Sequence, residues 1–172
     1  MKTVVVVLGI AGALVAQGIL SAFWMRGTFA VNLVLVVVVY VALAYGALTG
    51  LLAGALGGLV QDALGGGIVG VGGMTKTLIG FVVGILSAQF NLSTGVARVV
   101  MFVAATFVHD VMFAGLQAIT AGQPFSLKLS AVMVQALING LVGFMAFVIV
   151  ENGPQLLANR RMRRASLSKR RF

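Results

Sequence analysis

Residues 3–24, TVVVVLGIAGALVAQGILSAFW, run for 22 positions without a charged side chain. A helix needs only ~20 apolar residues to cross the ~30 Å hydrocarbon core of a bilayer. The run is continuously apolar rather than alternating, which excludes a barrel strand. Similar stretches recur along the chain, and with 60% hydrophobic and 9% charged residues it lacks the polar surface of a soluble domain. The chain therefore reads as an all-α integral membrane protein. Its first run is too long for a signal peptide and shows no clear small-x-small cleavage pattern, so it reads as a retained first helix.

Arg26 and Gly27 close that helix. The next apolar stretch, residues 31–62, has 32 residues, ~48 Å as a helix, too long for one span. It divides near Gly46–Gly50 into a span over 31–46 and a glycine-rich one over 48–66. GGGIVGVGG (65–73) reads as a loop or re-entrant segment, because clustered glycine opposes helix. A fourth span covers 74–90. NLSTG (91–95) is polar and offers Ser93 or Thr94 as a helix cap. A fifth span covers 96–120, AGQPFS (121–126) turns the chain, and a sixth covers 127–150. About six transmembrane helices, the third short and glycine-rich, make one domain over 1–152, followed by a basic tail over 153–172.

Six spans put Lys2, Arg98 and the basic tail on one side and Arg26, Lys76 and Lys128 on the other. Nine charges against three place both termini in the cytoplasm by the positive-inside rule. The tail cluster is Arg160, Arg161, Arg163, Arg164, Lys169, Arg170 and Arg171. Because it follows an apolar span, it reads as an anionic-lipid contact and not as a nucleic-acid site.

GALTGLLAGALGGLVQD (46–62) sets a glycine at Gly46, Gly50, Gly54 and Gly58 and ends on Asp62; the same step continues to Gly66 and Gly70. Four residues turn a helix by ~400°, so these glycines form a slowly drifting ridge that a crossing helix can follow. Without side chains the two backbones can come close. The ladder reads as a helix-packing or partner interface, with a re-entrant gate as the other reading. Asp62 either is solvated or paired with Lys76, or contacts a partner or ligand. Asp110 and Asn139 fall near the midpoints of the fifth and sixth spans, with His109 adjoining. Polar groups at matched depth in lipid need partners, so Asp110 is expected to approach Asn139, with His109 as an interhelical donor. That makes an intramembrane polar clamp, with a substrate or proton site as the other reading. Gln17 and Gln135 are expected to bond between helices, and Arg98 to snorkel toward headgroups. With no cysteine and one histidine, disulfides, thiol chemistry and a multi-histidine metal site are excluded. No cofactor and no catalytic residue is expected.

Taken together, GLLAGALGGLVQDALGGGIVGVGGMTKTLIGFVVG (50–84) resembles the glycine-spaced segment, aspartate and glycine loop of the bacterial rod shape-determining protein MreD family. FVHDVMF (107–113) is similar to that family's second intramembrane aspartate, and INGLVGF (138–144) to the Asn-Gly of its last helix. The resemblance covers most of the chain in layout. It implies a non-catalytic membrane scaffold of the cell-elongation (rod shape) machinery, in the bacterial cytoplasmic membrane. It implies binding to the bitopic protein MreC, acting indirectly with the MreB filament, the RodA glycosyltransferase and an elongation-specific penicillin-binding protein in peptidoglycan synthesis. It also implies a six-helix fold similar to the S-components of energy-coupling-factor vitamin transporters. Asp62, Asp110 and Asn139 match the family's polar positions, none of them catalytic. A substrate-binding S-component is the alternative function. It would need an outward cavity lined by polar or aromatic side chains, for which this chain offers few, Trp24 being its single tryptophan. Two membrane aspartates are also the minimum for an intramembrane aspartyl protease, but those enzymes carry Tyr-Asp and Gly-x-Gly-Asp where this chain has VQD and VHD.

Overall fold

The computed structural model describes the backbone of residues 2–23, 31–66, 68–90, 94–122 and 124–168, and the side chains of 3–21, 31–66, 68–90, 94–122 and 124–150. Among the described residues there are six helices: α1 (Lys2–Phe23), α2 (Leu33–Tyr45), α3 (Ala47–Gly65), α4 (Val71–Gln89), α5 (Gly95–Ala121) and α6 (Leu129–Ser168). All but α2 are long and apolar enough to cross a membrane, which makes this a multi-pass, all-α membrane architecture. The expectation of a short third span is corrected. α3 has 19 residues and is long enough to cross, whereas α2 has 13 and reaches only ~20 Å. Five long helices surround a short one.

α2 packs against every other helix, and Val34, Leu35, Val38 and Ala42 are wholly buried. LVLVVVVYVALAY is apolar all round, the pattern of a helix enclosed on every side. A valine run of this kind suits a strand in water. Inside hydrocarbon a helix is favoured instead, because it closes every backbone hydrogen bond within its own segment.

Gly46 alone separates α2 from α3. Its φ of 89° and ψ of −179° are open essentially to glycine. Its N–H still bonds the Ala42 carbonyl at 3.0 Å while its own carbonyl accepts from Gly50 at 3.0 Å, so one residue ends one helix and starts the next. The chain folds straight back. A Cβ built at Gly50 would lie 2.6 Å from the Ala42 Cβ, and one at Gly57 3.0 Å from Val34 Cγ1. Gly46 is thus a hairpin turn, and its backbone also joins the close packing, since a Cβ at Gly84 would lie 2.8 Å from its carbonyl carbon.

The other rungs pack too. A Cβ at Gly50 would lie 2.5 Å from the Gly80 carbonyl oxygen, one at Gly54 would run into the Lys76 carbonyl, and one at Gly58 would lie 2.6 Å from the Gly73 Cα. Gly84 in turn faces Ala47. Two antiparallel ladders therefore meet, and the one on α4, Gly72, Gly80 and Gly84 with Lys76 at the intervening step, is not among the sequence expectations. Leu48, Leu52 and Leu56 on the opposite face of α3 are exposed, as a lipid-facing flank requires.

Gly66 and Gly70 are not rungs. They bound the α3–α4 turn at φ of 66° and 109°. The expected loop over 65–73 shrinks to that turn, since Gly72 and Gly73 already belong to the first turn of α4. Both arms have 19 residues, so this segment is a helical hairpin and not a re-entrant loop. Thr94 caps α5, its hydroxyl accepting from Ala97 N–H at 3.3 Å, and Gly140 and Gly143 on α6 make room for Val103 and Phe102 of α5.

The apolar part of α6 ends at Val150, while its helical backbone runs on through the expected boundary at 152 to Ser168. Arg160, Arg161, Arg163 and Arg164 lie on that extension, their side chains outside the described residues. Lys169, Arg170 and Arg171 lie outside the described residues altogether, as do Trp24, Arg26 and Ser93.

Gly54→Ala is expected to lower the unfolding free energy by about 1–3 kcal/mol, because its methyl would press on backbone that cannot move aside. Gly12→Ala, where an added Cβ meets nothing within 4 Å, is expected to be neutral or stabilising by up to ~1 kcal/mol. Reversible unfolding of both variants in mixed micelles tests the contrast; equal effects would remove the packing role of the ladder.

Candidate functional site

A helix start leaves N–H groups without intrahelical acceptors, and α4 solves this with the residue that ends the ladder. Asp62, in the last turn of α3, reaches over the hairpin turn. Its Oδ2 accepts from the N–H groups of Gly70 (2.9 Å), Gly72 (2.8 Å) and Gly73 (3.1 Å). A carboxylate there satisfies three donors and meets the positive end of the helix dipole. The absence of a side chain at Gly72 is what admits it, since a Cβ there would run into the carboxylate. Lys76 is not the ion-pair partner of Asp62. Among the described residues no hydrogen bond or ion pair reaches its ammonium.

The start of α2 is closed by three other side chains. Asn32 Oδ1 accepts from Leu35 N–H at 3.1 Å, Gln17 Oε1 of α1 accepts from Leu33 N–H at 2.8 Å, and Asn139 Oδ1 of α6 accepts from Asn32 N–H at 3.1 Å. Asn139 then donates to Thr106 Oγ1 at 3.4 Å, and Thr106 donates to the Phe102 carbonyl at 2.8 Å. One fully buried amide thus ties α2, α5 and α6 together. Asn139 stands midway along the apolar run of α6 (Leu129–Val150), so α2 begins deep inside the bundle.

The expected Asp110–Asn139 pairing is replaced by two pairings one helical turn apart. Asn139 takes Thr106, and Asp110 Oδ1 accepts from Gln135 Nε2 at 3.3 Å. His109 is not an interhelical donor. Its Nδ1 lies 2.9 Å from Asp110 Oδ1 and its ring stacks on Phe113, both on its own helix. Arg98 places its guanidinium 3.5 Å from the centroid of the Phe147 ring, a cation–π contact.

These groups converge on a chamber of about 600 Å³. Val31 and Asn32 contribute where α2 begins, and no helix of the described residues fills the space beyond, because α2 is short. Gln17 comes from α1, Gln61 and Asp62 from α3, Lys76 from α4, His109 and Asp110 from α5, and Gln135 from α6. Ser126 and Lys128, both exposed, stand at its rim. The expectation of too few polar side chains to line a cavity is therefore overturned. The signal was present in the positions: these residues lie at or past the middle of α1, α3 and α5 and in the first half of α4 and α6. In an antiparallel bundle that places them all toward one end.

Three buried atoms of residues that line the chamber, Gln61 Oε1, His109 Nε2 and Asp110 Oδ2, have no partner among the described residues. Lys76 is only 2% exposed. No group of three metal-ligating side chains forms among the described residues. Both aspartates line the chamber, but the hydrogen bonds of Asp62 go to backbone amides and those of Asp110 to His109 and Gln135.

Asp62→Ala is expected to lower the unfolding free energy by about 1–2 kcal/mol through loss of the cap, while Asp62→Asn, which keeps an acceptor oxygen, recovers most of it. Asn139→Leu leaves the Asn32 N–H without its acceptor and is expected to cost about 1–3 kcal/mol. Reversible unfolding measures both. Comparison with protein-family models, with curated proteins and with solved structures finds no match to this chain.

Proposed function

We propose that this protein is a non-catalytic membrane scaffold of the MreD kind, lying in a bacterial cytoplasmic membrane with both termini in the cytoplasm. It would hold an MreC-like bitopic partner and, through it, support peptidoglycan synthesis and cell shape alongside an MreB filament, RodA and an elongation-specific penicillin-binding protein. The observation that carries this reading is the α3–α4 hairpin. The segment bearing the resemblance, residues 50–84, packs backbone against backbone and is locked at its turn by Asp62. Such a unit has little room to deform and presents a fixed surface.

One flank of that surface is an apolar groove of about 470 Å³, lined by Leu51 and Leu59 of α3, Met74, Leu78 and Phe81 of α4 and Met112 of α5. A single membrane helix suits it, because association in lipid gains from close ridge-into-groove contact rather than from burying apolar area. The basic tail would add about 1 kcal/mol per Lys or Arg at an anionic leaflet, holding the cytoplasmic end against the membrane.

The chamber favours a second reading, a solute-binding subunit similar to an S-component. In the positive-inside orientation the chamber opens on the outer face, where such a subunit captures its substrate.

Affinity purification in mild detergent separates the two. A co-eluting bitopic protein with a periplasmic domain is the expected result, and a bound vitamin-sized molecule with no such protein favours the rival. Ala55→Trp, which fills the groove from α3, is expected to weaken partner recovery roughly tenfold, equivalent to about 1.4 kcal/mol, with the unfolding midpoint unchanged. Undiminished recovery would dissociate the groove from partner binding.

A further inference from the structure

Buried polar atoms without partners are costly, each by about 1–3 kcal/mol when neutral and more when charged. Among the described residues, three such atoms belong to side chains that line one chamber. Beside them Lys76 brings an ammonium with three N–H donors, which no hydrogen bond or ion pair of the described residues reaches. Gln61 Oε1, His109 Nε2 and Asp110 Oδ2 bring acceptor sites. In the tautomer whose Nδ1 donates to Asp110 Oδ1 at 2.9 Å, Nε2 is left as an acceptor.

The complement of this set is a molecule with an anionic group for Lys76 and an N–H-bearing cation for Asp110. A lone anion would leave Asp110 Oδ2 without a donor, and a lone cation would leave the Lys76 ammonium without an acceptor. A neutral polyol would offer hydrogen bonds but no charge complementary to either group. The formal charges of the lining also balance, Asp62 and Asp110 against Lys76 and Lys128, so a ligand of zero net charge adds no uncompensated charge. The volume of about 600 Å³ is that of an ordinary small-molecule pocket.

We infer that this chamber binds a small zwitterion of the amino-acid or short-peptide class. Its carboxylate meets Lys76, its ammonium meets Asp110 Oδ2, and Gln61 Oε1 and His109 Nε2 accept its remaining N–H groups. Phe113, which lines the chamber beside His109, offers apolar surface to a side chain. Nothing in this depends on whether the protein acts as a scaffold or delivers a solute.

The test is calorimetric titration of the full chain in lipid nanodiscs. The probes are the standard amino acids and alanylalanine, each beside its N-acetylated and its carboxyl-amidated derivative. At least one zwitterion is expected to bind saturably at one per chain, with both of its derivatives at least roughly tenfold weaker. Lys76→Met is expected to abolish the penalty for amidation, and Asp110→Asn the penalty for acetylation, by the logic of a double-mutant cycle. Absence of saturable binding by every zwitterion, derivatives that bind equally well, or displacement by sorbitol overturns the proposal. If a variant fails to fold, the derivative series on the unaltered chain decides. Loss of partner recovery in the groove variant leaves this outcome untouched, so the two proposals fail separately.

Discussion

Helix starts buried in an apolar layer leave up to four N–H groups without acceptors, and in hydrocarbon each unsatisfied group costs several kcal/mol. α2 begins this way deep in the bundle, and α4 begins this way beside the glycine turn. The side chains that answer them are Gln17, Asn32 and Asn139 for α2 and Asp62 for α4. These residues come from four separate stretches of chain, so satisfying two helix starts also fixes the positions of α1, α3 and α6. The scarce polar residues therefore act chiefly as ties between helices.

The other half of the packing uses no polar chemistry. Where α2, α3 and α4 meet, glycine removes the side chains that would hold the axes apart, and dispersion between backbones replaces the hydrophobic gain that lipid denies. The two devices depend on one another. The close approach of α3 to α4 brings Asp62 within reach of Gly70, Gly72 and Gly73, and the bonds that form there lock the approach. Rigidity is thus concentrated around the short central helix.

That short helix also explains the uneven interior. On the Gly46 side the bundle is filled by α2 and its valines. Beyond Asn32 no helix of the described residues fills the middle, and the long helices line the space with glutamines, aspartates, a histidine and a lysine. A close-packed hairpin with an apolar groove on its flank and a polar chamber at one end gives the molecule two surfaces of opposite chemistry. The first suits another membrane helix, the second a charged solute.

Apolar run lengths alone placed the long helices to within a few residues, because a bilayer imposes one length scale on every span. The ladder at Gly50, Gly54 and Gly58 was legible for the same local reason: spacing on a helix face follows from helix geometry. What the sequence could not disclose was which polar residues meet. Asp110 and Asn139 match in depth to within a turn, yet side-chain direction and helix rotation about its axis send one to Gln135 and the other to Thr106 and Asn32. Likewise Asp62 looked like an isolated charge until the hairpin brought three amides to it. Membership of the membrane, helix count and close-packing face were determined by the chain itself, since they depend on composition and period. The chamber and the capped helix starts were decided by tertiary structure, since they depend on where separate helices end relative to one another.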